Sequence, residues 1–68
     1  MKITNEQFLR VVSDAHQLYS RHPELRIGQA LFNSLFDKHP EIAREIVETE
    51  ADPFYVDGRI KNFVNYLL

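Results

Sequence analysis

YSRHPEL at residues 19–25 and FDKHPEI at residues 36–42 run in parallel: aromatic, small polar or acidic residue, base, His, Pro, Glu, aliphatic. A repeat that carries histidine and glutamate invites a metal-binding or catalytic reading. The flanking residues give a simpler one. Each repeat stands where one helically spaced apolar pattern stops and another starts. The base and His suit the negative C-terminal end of an outgoing helix, while Pro suits the first turn of the next and Glu its positive N-terminus. The repeat therefore reads as helix punctuation, and it makes the chain all-α.

Upstream, Thr4 and Gln7 have the spacing of a capping box and Glu6 lies in the first turn. Phe8, Val11, Val12, Ala15, Leu18 and Tyr19 then share one face, which predicts a first helix over residues 5–20. The second helix is expected to open at Pro23-Glu24 and to close at Asp37, Lys38 and His39. Leu25, Gly28, Leu31, Phe32 and Leu35 form its main stripe, and Ile27, Ala30 and Ser34 a second strip nearly opposite. A helix apolar on two sides is central in a bundle or meets a second chain. Gly28 lies inside the main stripe, where glycine is about 1 kcal/mol worse than alanine, so a neighbouring backbone or ring should approach closely there.

Pro40-Glu41 opens a third helix whose buried side is Ile42, Ala43, Ile46 and Val47, running to about Glu48. The segment EADPFYVDG at residues 50–58 has turn chemistry at Asp52-Pro53 and Asp57-Gly58. Asp57 is the expected N-cap of a fourth helix facing inward with Ile60, Phe63, Val64 and Leu67. No strand pattern competes. The expectation is a small all-α bundle of three to four short helices, one domain over residues 1–68.

A chain of 68 residues buries only about 60% of its unfolded surface and keeps roughly 3–5 kcal/mol of net stability without staples. The absence of cysteine removes disulfides and cysteine zinc sites and makes an intracellular setting the easier reading. Met1-Lys2 leads into ITNEQF rather than an apolar run, so neither a signal peptide nor a membrane span is expected, and the predicted location is cytoplasmic. An apolar content of 44% excludes a disordered chain. Eight Lys and Arg against ten Asp and Glu, net −2, argue against generic binding of nucleic acid. Residues 41–57 hold six acids and one base, Arg44, which makes an acidic sector.

Catalytic chemistry finds little support. His16, His22 and His39 have no i,i+3 or i,i+4 partner among themselves, so helix ends and surface account for them and no metal ligand is assigned. Glu48, Glu50, Asp52 and Asp57 lack the register of a calcium loop. Ser13, Ser20 and Ser34 sit in or at the end of helices without a nucleophile elbow, and the two glycines are too far apart to cradle phosphate. The third helix, PEIAREIVETE, offers one base against four glutamates, a sequence that phosphates repel. No catalytic, cofactor-binding or metal residue is assigned, no cofactor is expected, and the chain reads as non-enzymatic.

The aromatics are the remaining signal. Phe54, Tyr55 and Val56 follow one another in a loop flanked by acids. The loop either plugs the end of the bundle or presents Tyr55 as an interface anchor, and both hold if Phe54 turns in and Tyr55 out. Candidate partner-binding residues are accordingly Glu48, Glu50, Asp52, Phe54, Tyr55 and Asp57. Candidate structural residues are Gly28, Gln29, Asn33 and Arg59. Gln29 and Asn33, one turn apart, are expected to pin DPFY across the second helix, and Arg59 to pair with Asp52 or Asp57.

RIGQALFNSLF, followed by DPFYVDGRIKNFVNYL, resembles a group of short bacterial, phage and prophage proteins. Their pattern is R-x-G-Q-x-L-F-N-x-L, then D-P-F-Y-x-D-x-R-I-x-x-F. The matching positions are Arg26, Gly28, Gln29, Leu31, Phe32, Asn33, Leu35, Asp52, Pro53, Phe54, Tyr55, Asp57, Arg59, Ile60 and Phe63. Such proteins often carry Gly-Thr-Asp or Gly-Thr-Glu before DPFY, where this chain has Glu48-Thr49-Glu50. The resemblance implies an accessory protein of a mobile element and transfers no activity. The expected function is thus a helical protein-interaction module, docking a protein partner through the segment at residues 48–57 or self-associating as a homodimer through the second helix. The alternative is a nucleic-acid-associated regulator.

Overall fold

The computed structural model describes residues 2–68; Met1 lies outside them. Four α-helices follow in order: α1 (Asn5–Arg21), α2 (Ile27–Lys38), α3 (Pro40–Ile46) and α4 (Ile60–Leu67), the last entered through a 3-10 turn at Asp57–Arg59. No strand is present among the described residues. The chain is a small all-α bundle.

Helix α1 begins as the sequence dictates. The Gln7 backbone N–H donates to Thr4 Oγ1 at 3.1 Å, and the Thr4 N–H donates back to Gln7 Oε1 at 2.8 Å. The two HPE repeats share one piece of backbone. His22 and His39 adopt nearly the same torsions, φ −132°, ψ 70° and φ −138°, ψ 67°. Each donates its N–H to the carbonyl four residues back, Leu18 or Leu35, and each carbonyl accepts from the residue three ahead, Leu25 or Ile42.

Beyond that turn they diverge. At the second repeat Pro40 opens α3 directly and Ala43 N–H also reaches the His39 carbonyl. At the first, Pro23 and Glu24 do not open α2; Arg26 is extended, with ψ 156°, and the helix starts at Ile27. Burial explains the difference. Continuing through residues 41–43 buries Ile42 and Ala43, whereas at the first repeat the matching residues are a half-buried Leu25 and an exposed Arg26.

Helix α2 is central. Leu31, Phe32 and Leu35 face the core, while Ala30 and Ser34 are buried too, Ser34 donating from Oγ to the Val11 carbonyl of α1 at 2.7 Å. The second strip is therefore largely consumed within the chain, and of its residues only Ile27 at its end stays out. Val11, Ala15, Ile42, Ala43, Ile46, Phe63 and Leu67 complete the interior. Ile3, outside every helical pattern, joins them because the Lys2 and Ile3 N–H groups both donate to the Leu67 carbonyl at the end of α4.

Two expected boundaries are corrected. Helix α3 ends at Ile46 rather than Glu48, and Val47 is exposed. Glu48 then takes φ 63°, the left-handed region, which redirects the chain into the loop. Asp57 does not cap α4 with its side chain; that carboxylate has another use.

Candidate functional site

The segment from Glu48 to Gly58 is held by a carboxylate at each end. Asp52, only 6% exposed, accepts the Glu48 N–H on Oδ2 at 2.8 Å and the Phe54 N–H on Oδ1 at 3.0 Å. Asp57 Oδ1 accepts the Gly28 N–H at 3.0 Å, so it caps the first turn of α2 from across the fold, and it lies 3.8 Å from Arg26 Nε. Arg26 also donates from its guanidinium to the Phe54 carbonyl. This bond is what the extended conformation of Arg26 makes reachable.

Gly28 is where the loop and α2 touch. A Cβ there would stand 2.2 Å from the Pro53 carbonyl oxygen and 2.8 Å from Asp57 Oδ1. The close approach expected at this glycine is made by backbone. Gln29 and Asn33 do not pin the loop: neither side chain makes a hydrogen bond among the described residues, and Asn33 is exposed. Asn33 instead lies on the α1 side of α2, with Asp14, Leu18 and Asp37. Arg59 pairs with neither Asp57 nor Asp52, whose two oxygens are taken by backbone N–H groups; it donates to the Thr49 carbonyl at 3.3 Å. Asn62 similarly donates to the Glu50 carbonyl at 3.1 Å, tying the loop to α4.

On this frame lies a row of aromatic rings. Phe36 and Phe32 are 6.2 Å apart between centroids, Phe32 and Phe54 5.7 Å edge-to-face, and Phe54 and Tyr55 4.7 Å. Phe32 is buried and Phe54 half-buried, but Phe36 is 43% exposed and Tyr55 75%. Phe54 turns in and Tyr55 out. A cavity of about 250 Å³ opens beside them, lined by Phe32, Val47, Glu48, Asp52, Phe54 and Tyr55. The Arg44 guanidinium sits 5.6 Å from the Phe36 ring centroid, a cation–π distance.

The predicted acidic sector is thinner in space than in sequence. Asp52 is buried framework, and Asp57 commits one oxygen to the Gly28 N–H while its side chain stays exposed. Glu45 is engaged elsewhere: Lys2 Nζ lies 3.2 Å from its Oε1, and the Tyr66 hydroxyl donates to the same oxygen. The Tyr66 bond, with Lys2 behind it, holds the Glu45 carboxyl below the usual carboxylate range, and Glu45 in turn pushes Tyr66 and Lys2 up. Exposed acids at the site are Glu48, Glu50 and Asp57. Sequence reasoning missed Phe36, Val47 and Arg44; the i,i+4 spacing of Phe32 and Phe36 was the available signal.

Among the described residues no three His, Asp or Glu side chains gather as a metal site, and no helix is long and apolar enough to cross a membrane. Compared with protein-family models, curated proteins and solved structures, the chain matches none.

Proposed function

We propose that this chain is a non-enzymatic interaction module that docks a protein partner on the aromatic row at the α2, α3 and loop end of the bundle. The observation that carries this reading is Tyr55. It is the most exposed large hydrophobic side chain among the described residues, set edge-to-face against a Phe54 that the Arg26 and Asp52 bonds hold in place. A rigidly backed, solvent-facing tyrosine loses little entropy on binding and supplies the kind of anchor that dominates interfaces. The cavity between Val47 and Tyr55 suits one apolar side chain of the partner, and Glu48 on its rim suits a neighbouring base. The resemblance to short phage and prophage proteins supports a setting in the bacterial cytoplasm, with a host protein as the partner. The exposed Glu48 and Glu50 disfavour phosphates, against the alternative of a nucleic-acid-associated regulator.

The test is capture from bacterial lysate by the tagged protein and by a Tyr55→Asp variant whose circular dichroism matches wild type. The expected result is a defined protein held by wild type, lost by the variant and retained at about 0.5 M salt. Identical retention by both forms would refute the site. Capture that disappears with nuclease or with salt would favour the alternative.

A further inference from the structure

A cation set between an aromatic ring and a carboxylate is a device this chain builds for itself. Lys2 Nζ lies 5.3 Å from the Tyr66 ring centroid and 3.2 Å from Glu45 Oε1, and the Tyr66 hydroxyl donates to the same carboxylate. At the Phe36 end of the aromatic row, Arg44 stands over the ring at 5.6 Å. The Tyr55 end of that row has a ring and a carboxylate that no base of the chain serves. Tyr55 is 75% exposed, so at least one face of its ring is open. Glu48 lines the same cavity as Tyr55 and makes no ion pair among the described residues. Asp52, the other acid of the cavity, commits both oxygens to backbone N–H groups. Arg26 and Arg59, the bases in the frame of the loop, donate to the Phe54 and Thr49 carbonyls.

We propose that the protein partner docked here brings an arginine, whose guanidinium lies on the Tyr55 ring with Glu48 as its counter-ion. This deepens the docking reading above and rests on it. Charge complementarity selects the occupant: Glu48, Glu50, Asp52 and Asp57 outnumber Arg26 and Arg59 around the loop. The ring adds to this, because the negative face of a tyrosine attracts a cation beyond the pull of the carboxylate. Both groups are held in advance. The Glu48 and Phe54 N–H groups are bonded to the two oxygens of one buried Asp52, so ring and carboxylate rise from a single clamped turn and little ordering is left to binding. A guanidinium suits the pair better than an ammonium. It is flat and weakly hydrated, and it stacks on a ring while its N–H edge forks onto a carboxylate. With an apolar side chain in the cavity beside it, the recognised segment is an aliphatic residue next to an arginine. Salt screens only the Glu48 part of such a contact, so capture at about 0.5 M salt survives.

The probe is the capped tetrapeptide Ala-Leu-Arg-Ala, titrated to about 10 mM into the isotope-labelled chain and followed by amide chemical shifts. Its control is the same peptide with citrulline, which keeps the shape of arginine and drops the charge. Shifts should centre on residues 47–56. The citrulline peptide should bind about fivefold more weakly, and Glu48→Gln and Tyr55→Leu, both at exposed positions, should each weaken the arginine peptide about twofold. Shifts that centre elsewhere, none at the highest concentration, or a citrulline peptide that binds as tightly would overturn the arginine. Capture from lysate separates this failure from failure of the docking reading. A partner lost by Tyr55→Asp but held undiminished by Glu48→Gln removes the arginine and leaves the aromatic site standing; a partner held by Tyr55→Asp removes both.

Discussion

Gly28→Ala is the substitution for which helix propensity and tertiary geometry predict opposite signs. Gly28 lies in α2, where alanine is favoured over glycine by about 1 kcal/mol, so a reading from propensity expects a more stable protein. The structure expects the reverse. The added methyl would stand 2.2 Å from the Pro53 carbonyl oxygen and 3.1 Å from its carbon. Ordinary contact needs roughly 3.5 Å, so something must retreat by about 1 Å. Pro53 cannot retreat alone. It is buried, and the Asp52 carboxylate on one side and the Arg26 bond to Phe54 on the other hold the backbone around it.

Lifting the loop off α2 would stretch the Asp57 bond to the Gly28 N–H, a cap typically worth about 1 kcal/mol, and would add overpacking strain of about 1–3 kcal/mol. Set against the propensity gain, the net expectation is a destabilisation of about 1–3 kcal/mol. For a domain of this size that is a fall in melting temperature of roughly 5–20 °C. Thermal and urea denaturation followed by circular dichroism measure it directly. In a double-mutant cycle with Asp57→Ala the two losses should be less than additive, since both break the same contact. A Gly28→Ala protein as stable as wild type, or more so, would show that the loop is not seated on α2 as described.

Glu48→Gly should stabilise the chain by about 1 kcal/mol, because φ 63° is costly for a residue with a Cβ; a lower melting temperature would count against it. Asp52→Ala should cost about 2–3 kcal/mol in urea denaturation by stranding the Glu48 and Phe54 N–H groups, with Asp52→Asn intermediate. A loss under ~0.5 kcal/mol would mean that those groups find other partners. Glu45 contributes through a lowered carboxyl pKa, so its stabilisation is present above the ordinary glutamate value of 4.5 and is lost as pH falls below it; Tyr66 and Lys2, both raised, lose theirs as pH climbs through the alkaline range. Melting temperature against pH should therefore fall less steeply on the acid side in Tyr66→Phe than in wild type, and superimposable profiles would remove the link.

The local sequence was sufficient wherever one segment satisfies its own needs. The Thr4 and Gln7 capping box, the arrest of α1 and α2 at His22 and His39, and the start of α3 at Pro40 all depend on residues within four of one another. The all-α class and the burial of Leu31, Phe32 and Leu35 in α2, Ile42, Ala43 and Ile46 in α3, and Phe63 and Leu67 in α4 follow from periodicity for the same reason.

Tertiary structure decided what depends on residues far apart in the chain. Asp57 has a sequence fit to cap α4, but its carboxylate lies within reach of an unpaired N–H on α2, 29 positions away, and bonds there. Arg26 is extended, its guanidinium reaches the Phe54 carbonyl across the fold, and α2 starts only at Ile27 despite the proline at 23. Periodicity named Val12 and Tyr19 as inward with the rest of α1, yet α2 and α4 are too few and too short to cover a face that wide. A hydrophobic pattern says which side chains would gain from burial. Only the packed chain says which of them its own neighbours reach.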